Sequence, residues 1–515
     1  MLKIFPMVKD SEIELKLAIP PADAAAFRRL AVLREKGLDG PTRGKVFNVY
    51  FDTPGLVLKH HGMALRLRKT GGKWLQTLKT AGTAAGGLHQ RGEWEYPVRV
   101  PQLDLALFRE TPLATLAQSK ALHLTLKPAF TTEFHRTTWL LEISPGQRVE
   151  VALDQGVMRC GERESIISEV EIELLEGSAT AVFDLALALV GQIAMQPANL
   201  SKAERGYRLF QPQPLVPRRA GAVELRRKES PHQAMQAIVA GCLDHFEANV
   251  EGAHASDDPE YLHQLRVALR RLRSAMRIFR PANAGHIAAE LKWLTAALGE
   301  ARDWDVLRTQ TLPALLEGFG DPGLARQLTA AGTRKQAAAR AAARTALASA
   351  REALLVMTVG RWVGVPRELT LLAPHTASEV DAAQTPPSQS LTRFASHEIR
   401  RHHRRLLHVK GGLADLSAEA RHRVRINAKR LRYAVDFFSS LFSKKRVERY
   451  VNILGKIQEL LGNINDDAVA LNLVESLAPP ERFIDFARGG FAQRTQTRLV
   501  EVDRHIAELK HAGRF

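Results

Sequence analysis

The sequence predicts an α+β chain of two unlike parts: an N-terminal antiparallel β domain with charge on one face of its strands, and a C-terminal all-α domain made of two copies of one helical bundle. Three observations predict it. Up to residue 175, polar and apolar residues alternate in short runs, the period of a strand with two unlike faces. Beyond residue 217 the apolar period becomes 3.6. Within that second part a long motif occurs twice.

The first strand, Ser11 to Ile19, alternates without a break, so Glu12, Glu14 and Lys16 share a face. Further strands read at 46–52, 63–69, 73–80, 92–98, 129–142, 148–154 and 165–175, with Gly71-Gly72 as a hairpin turn. A short helix reads at 23–34 and an amphipathic one at 178–195. Charges again stand two residues apart at Arg66 and Arg68, at Glu93 and Glu95, and at Glu169, Glu171 and Glu173. Like charges on one strand face repel unless something of opposite sign sits between them. Acidic and basic strands closed into one barrel, which needs inward polar residues from every strand, would suit a pore holding metal ions and phosphates.

This ordered set resembles the CYTH domain, the family of triphosphate tunnel metalloenzymes, over roughly residues 1–210. The resemblance implies an eight-stranded antiparallel tunnel barrel whose lumen takes a triphosphate and a divalent metal. It implies metal ligation by Glu12, Glu14, Asp154, Glu169, Glu171 and Glu173, with Mg2+ or Mn2+ suiting an all-oxygen donor set. Whether Glu169 or Glu173 joins Glu171 stays open, and Glu93 and Glu95 read as supports for the basic residues. The implied triphosphate clamp is Lys16, Arg66, Arg68, Lys79, Arg136 and Lys202, the last within Leu-Ser-Lys-Ala-Glu-Arg-Gly-Tyr. Glu12, Glu14, Lys16 and Lys202 are the expected catalytic set. The expected chemistry is attack by a metal-activated water, with no serine or cysteine nucleophile.

The chain has 515 residues and a formal net charge of +18. Residues 1–210 carry +4 of it and residues 211–515 carry +14, so the second half is the one that asks for a polyanionic partner. Two distant cysteines, Cys160 and Cys242, argue against a disulfide framework. No signal peptide and no membrane span is read, and a cytoplasmic protein is expected.

A proline-rich linker, 211–224, leads into helices expected at 231–250, 258–280, 286–300, 302–316 and 323–357. A looser stretch follows at 364–389, then helices at 390–408, 417–442, 446–462, 465–477 and 480–512. His263-Gln-Leu-Arg266-Val-Ala-Leu-Arg270-Arg271-Leu-Arg273 returns 159 residues later as His422-Arg-Val-Arg425-Ile-Asn-Ala-Lys429-Arg430-Leu-Arg432. Leu298-Gly299 before Asp303 returns as Leu461-Gly462 before Asp466. The repeats are taken as 228–357 and 388–512, within a helical domain at 225–512, and the two halves as separable at the linker. In each copy the basic residues form one helical stripe and an apolar stripe runs beside it. Neither basic stripe contains an acid between its histidine and its last cation, so two such faces would form a groove that a polyanion relieves.

This half resembles the CHAD domain, which implies binding of inorganic polyphosphate by His263, Arg266, Arg270, Arg273, His422, Arg425, Lys429 and Arg432, and placement on polyphosphate granules. The absence of aromatic residues from both stripes disfavours nucleic acid. The expected function is metal-dependent hydrolysis of inorganic triphosphate by a chain tethered to polyphosphate. The alternatives are a non-catalytic polyphosphate-binding adaptor and a thiamine triphosphatase or adenylate cyclase on the same barrel. Oligomeric state is not legible.

Overall fold

The computed structural model describes residues 7–117, 125–281, 284–363, 390–408 and 411–512. The looser stretch expected at 364–389 lies outside the described residues. Two compact units form: Met1–Val216 together with Ala348–Ala373, and Pro217–Leu347 together with Pro374–Phe515.

The first unit is a closed antiparallel barrel of eight strands. In spatial order these are β1 (Met7–Ala18), β9 (Arg163–Glu176), β8 (Gln147–Cys160), β7 (Lys127–Ser144), β2 (Thr42–Asp52), β3 (Met63–Thr70), β4 (Lys73–Thr80) and β6 (Leu88–Val98). β6 pairs back onto β1 and closes the ring, while the short β5 (Thr83–Ala85) and β10 (Gln196–Pro197) add to β6 and β1. Gly71 and Gly72 both take positive φ, as a two-residue hairpin turn between β3 and β4 requires.

Alternation decides the two faces of the wall. Leu15, Leu17, Val151, Leu153, Val170 and Ile172 point outward into an apolar core shared with Phe183 and Leu189 of the helix Ala179–Val190. Their sequence neighbours Glu12, Glu14, Lys16, Asp154, Glu169 and Glu171 are buried as well, and as alternating residues they take the inner face. One end is stopped by Tyr50, Phe130, Phe134 and Tyr207, with Tyr50 stacked on Phe130 at 4.5 Å. The helix expected over 23–34 is instead a 3₁₀ turn, Pro21–Asp23, and two short helices, Ala24–Phe27 and Ala31–Glu35.

The second unit repeats a four-helix order. Pro231–Ala255, Pro259–Phe279, Ala284–Val306 and Pro322–Leu347 are followed by Leu391–Leu407, Ala418–Phe437, Lys444–Glu475 and Glu481–Lys510. The second helices of the two copies pack on each other, and so do the third helices. Phe279 of the first copy stacks on Phe394 at 5.4 Å and meets Phe438 edge-on at 6.0 Å. The apolar stripes are buried as expected: Leu265, Leu269, Leu272 and Met276 in one copy, Val424, Ala428, Leu431 and Val435 in the other.

Other helix boundaries also differ from the sequence reading: the helix expected over 178–195 ends at Val190 and the one expected over 417–442 at Phe437. Breaks expected near Gly299 and Gly462 do not occur, since an interior glycine costs a helix only about 1 kcal/mol and packing overrides it. At Gly299 a side chain would stand 2.6 Å from the Arg266 guanidinium, so the missing Cβ makes room for that arginine. The helix expected over 323–357 ends at Leu347, and a new one, Ala350–Val363, packs in the barrel unit against Ala179–Val190. Its Ala353 and Met357 are fully buried in the barrel's outer core.

The domain boundary at the linker is therefore incomplete. Residues 1–210 expressed alone would expose the apolar seat of Met357, whose burial is worth roughly 1.5–3 kcal/mol. That fragment is expected to melt below one that also carries residues 348–363 through a designed connection, as thermal denaturation of the two will show. Among the described residues no helix is long and apolar enough to cross a membrane.

Candidate functional site

The barrel lumen holds a cavity of about 520 Å³ reached by side chains from both acidic and basic strands. The register explains why they meet. β1 pairs with β9 so that Lys16 stands opposite Glu171 and Glu14 opposite Glu173, and with β6 so that Glu12 stands opposite Arg91. Asp154 stands opposite Arg136 on one side and Glu169 on the other.

Two charged layers result. In the first, Asp154, Glu169 and Glu171 bring carboxylate oxygens within 4.8 Å of one another. Lys202 Nζ donates to Glu171 at 3.0 Å, also to Glu169, and lies 2.7 Å from Asp154. Arg136 donates through Nε and Nη2 to the two Asp154 oxygens, each at 2.7 Å, and reaches Glu171 at 2.5 Å. Lys16 bridges Glu171 and Glu14, the latter at 2.9 Å. Burial would push Glu171 up, but Lys16, Lys202 and Arg136 hold its carboxyl well below the usual range. Burial would likewise depress Lys202, and Asp154, Glu169 and Glu171 outweigh it and raise it.

In the second layer Glu12 accepts from Lys79 at 2.8 Å and from Arg91 at 3.1 Å, and Arg91 also donates to Glu14. Glu93 lies 3.1 Å from Lys79 and 3.4 Å from Arg66. Burial opposes ionisation of Glu93, but Lys79, Arg66 and Arg68 take it down to about 2. Arg68 donates to Asn48 Oδ1 at 3.1 Å, and Asn48 in turn donates to Thr132 at 2.8 Å, which fixes the amide. Burial, with Arg66 and Arg136 close by, brings Arg68 down to about 10: it is held in place with excess positive charge around it.

Lys202 comes from helix Lys202–Phe210, which opens with a capping box. Ser201 Oγ accepts from the Glu204 amide at 3.2 Å, and Glu204 accepts from the Ser201 amide at 2.8 Å. The cap sets Lys202 at the first helical position, turned into the lumen. Every barrel residue singled out from the sequence is thus inside the barrel or in its wall. Glu12, Glu14, Glu173 and the basic set line the cavity, while Asp154 and Glu169 sit behind Glu171 and grip Lys202. Arg91 and His89 also line the lumen and were missed. Both stand on the face of Glu93 and Glu95, but the strand was read as starting at Gly92 rather than at Leu88.

In the helical unit the two basic stripes meet only in part. Burial pulls Lys429 down to about 7, helped by Arg425 and Arg270, with Arg266 also close. Burial and then Arg302 take His263 down to about 4, so this imidazole is neutral at pH 7, whereas His422 is exposed. Arg432 is turned away, donating to Asp436 at 3.0 Å and to the Val451 carbonyl at 2.9 Å. Arg273 lies by Arg277 and Arg430 instead of with the central four. The structure also brings two acids to the stripes. Asp303 lies 3.9 Å from Arg266, and Asp466 acts electrostatically on Arg425, Arg266 and Lys429. The groove is a cation cluster with two carboxylates at its edge, not an unrelieved one. In the helix Leu391–Leu407, also rich in histidine and arginine, His402 is buried, while Arg400 and Arg404 line a separate cavity.

Comparison with known proteins agrees with this architecture. Residues 10–207 match the model of the CYTH domain and residues 237–475 that of the CHAD domain. Over 209 residues the chain is 36% identical to an inorganic triphosphatase of Haemophilus influenzae, covering 38% of this chain and 54% of that protein. The chain thus aligns with about half the length of that relative. Among solved structures it is similar to a CHAD domain from the plant Ricinus communis, with 32% identity and a TM-score of 0.48, covering 57% of this chain and 96% of that one. It is also similar to a Hippeastrum protein described by a dominant triphosphatase activity, with 19% identity and a TM-score of 0.30, covering 40% and 98%.

Proposed function

Because the chain carries a CYTH domain over residues 10–207 followed by a CHAD domain over residues 237–475, we propose that the barrel hydrolyses inorganic triphosphate and that the helical unit binds inorganic polyphosphate. One observation carries the first half: cations and carboxylates from neighbouring strands converge on one lumen, where Glu171 and Lys202 are each held ionised by the opposite charges around them. A phosphoanhydride chain needs that arrangement, since phosphoryl transfer is mostly positioning plus neutralisation of charge.

In this reading Arg66, Arg68, Lys79, Arg91 and Arg136 grip the phosphate oxygens, with arginine forks offering paired donors. The oxygen-only donor set fits a hard divalent cation, Mg2+ or Mn2+. Glu171 with Glu14, and Asp154 and Glu169 behind it, would hold it, and Glu12 and Glu173 extend the acidic wall. When bound, such an ion neutralises the phosphates and acidifies a water. Lys16 and Lys202 trade their carboxylate partners for phosphate oxygens as substrate enters. In the helical unit Arg266, Arg270, Arg425 and Lys429 form the polyphosphate seat. His263 stands beside Arg266 and Arg270, while Arg273 and Arg432 are engaged elsewhere, and polyphosphate bound at the seat would place the enzyme on granules.

Calorimetry with tripolyphosphate and a non-catalytic divalent ion tests the clamp. Lys16→Ala and Arg68→Ala are each expected to weaken binding by about 1.5–3 kcal/mol, the worth of a hydrogen bond to a charged group. Wild-type affinity in both variants would mean that the lumen does not bind triphosphate in this way.

A further inference from the structure

The helix Ala350–Val363 reaches the barrel from inside the helical half of the sequence, and its contacts do not stop at the outer core. Arg361 Nε donates to Asp184 Oδ1 at 2.7 Å, and the Ser349 carbonyl accepts from Gln196 at 3.2 Å. Both contacts are peripheral, the Arg361 pair being exposed, and between them Gly360 lies directly on Gly86. A Cβ at residue 360 would stand 3.2 Å from the Gly86 Cα and 3.2 Å from the Phe183 ring, and a Cβ at residue 86 would stand 3.1 Å from the Gly360 Cα. A side chain at either position would crowd the other backbone, so paired glycines suit this approach.

Gly86 and Gly87 form the turn from β5 to β6, both with positive φ. That turn holds two elements of the lumen. The Gly87 carbonyl accepts from the Lys16 amide at 2.8 Å, and the Gly87 amide donates to Asn199 Oδ1 at 2.9 Å. The Ala198 amide closes the set on the Lys16 carbonyl at 2.9 Å. Lys16 and Asn199 both line the cavity, and the stretch from Asn199 leads directly to Ser201 and Lys202.

We propose that the helix Ala350–Val363 is a working part of the lumen site, with Gly360 as a positioning residue. It presses the Gly86-Gly87 turn against the backbone of Lys16 and the Asn199 loop, and so sets where the two lysines stand. The proposal rests on the reading of the lumen as a triphosphate site. The helix itself touches no substrate. It also makes the barrel's activity dependent on a segment that belongs in sequence to the polyphosphate-binding half.

The test uses the full chain with Gly360→Val, the milder Gly360→Ala, and Arg361→Ala as a control on the same helix. Gly360→Val is expected to raise KM for tripolyphosphate about tenfold with a smaller change in kcat, as misplaced binding groups do, and Gly360→Ala less. Arg361→Ala removes only an exposed ion pair and should leave both constants unchanged. Amide hydrogen exchange over residues 12–19 gives a readout that needs no activity. The Lys16 amide should exchange faster in both Gly360 variants and not in Arg361→Ala. Wild-type KM and wild-type exchange in folded Gly360→Ala or Gly360→Val overturn the positioning role. If wild type neither binds nor cleaves tripolyphosphate, the site reading fails, and the exchange data alone decide whether the helix positions Lys16.

Discussion

Protein carrying Glu171→Gln is expected to release phosphate from tripolyphosphate at least about 100-fold more slowly than wild type, since losing a metal-site partner costs at least the 10–100-fold typical of outer-shell groups. Glu171 is the carboxylate on which Lys16, Lys202 and Arg136 all converge. The substitution keeps the shape and removes the charge, leaving those three cations with Glu14, Glu169 and Asp154 alone. Breaking one partner of a buried ion pair costs about 3–5 kcal/mol, so a lower melting temperature should accompany the slower turnover. The pH dependence follows from the same charges. Glu12, Glu14, Glu93, Asp154 and Glu171 are all held below their ordinary range in the folded barrel. Their stabilisation is fully present above the unfolded carboxylate range near 4.5 and is lost as pH falls through the folded values, for Glu93 down to about 2. Acid denaturation followed by circular dichroism should begin below about pH 4.5 in wild type. A Glu171→Gln protein that melts and turns over like wild type would remove this carboxylate from the mechanism.

Reversing Arg266, Arg270, Arg425 and Lys429 to glutamate together is expected to lower retention on immobilised polyphosphate at least about 100-fold, because each charged hydrogen bond to a phosphate oxygen is worth roughly 1.5–3 kcal/mol. The new acids would also face Asp303 and Asp466. Binding by wild type should weaken steeply with salt. It should also weaken as pH rises through about 7, where Lys429 loses its proton, and Lys429→Arg should remove that dependence. In the free protein the sign is opposite. The unfolded chain holds the Lys429 proton more tightly, so this group adds stability as pH rises from about 7 toward its ordinary value. Duplex DNA and RNA at matched phosphate concentration are the competitors. Stronger competition by nucleic acid than by free polyphosphate would reassign the groove.

Much of the barrel was legible because its chemistry is written in period 2. Glu12 and Glu14 on one strand, Arg66 and Arg68 on another, and Glu169 and Glu171 on a third are like charges at i and i+2 that need opposite charge beside them. Arg91 escaped through a strand boundary: starting β6 at Gly92 cut it from the alternating face it shares with Glu93. The layering of Asp154 and Glu169 behind Glu171 depends on barrel register, which no single strand reveals. In the helical half the duplication exposed both basic stripes. The i,i+4 spacing of Arg432 and Asp436 on one helix already offered their ion pair. What the duplication did not show is that Asp303 and Asp466 flank the cluster, because that depends on how helices are rotated against each other. The partner of Ala350–Val363 lies more than 150 residues away in sequence, and its 3.6 period looks the same whichever core it joins.

Phosphate release by the purified protein, compared across tripolyphosphate, long-chain polyphosphate, ATP and thiamine triphosphate with Mg2+, with Mn2+ and after chelation, tests the central claim most directly. Release from tripolyphosphate well above the other three, abolished by chelation, is the predicted result. Equal or faster release from ATP or thiamine triphosphate, or tripolyphosphate cleavage that survives chelation, would contradict it.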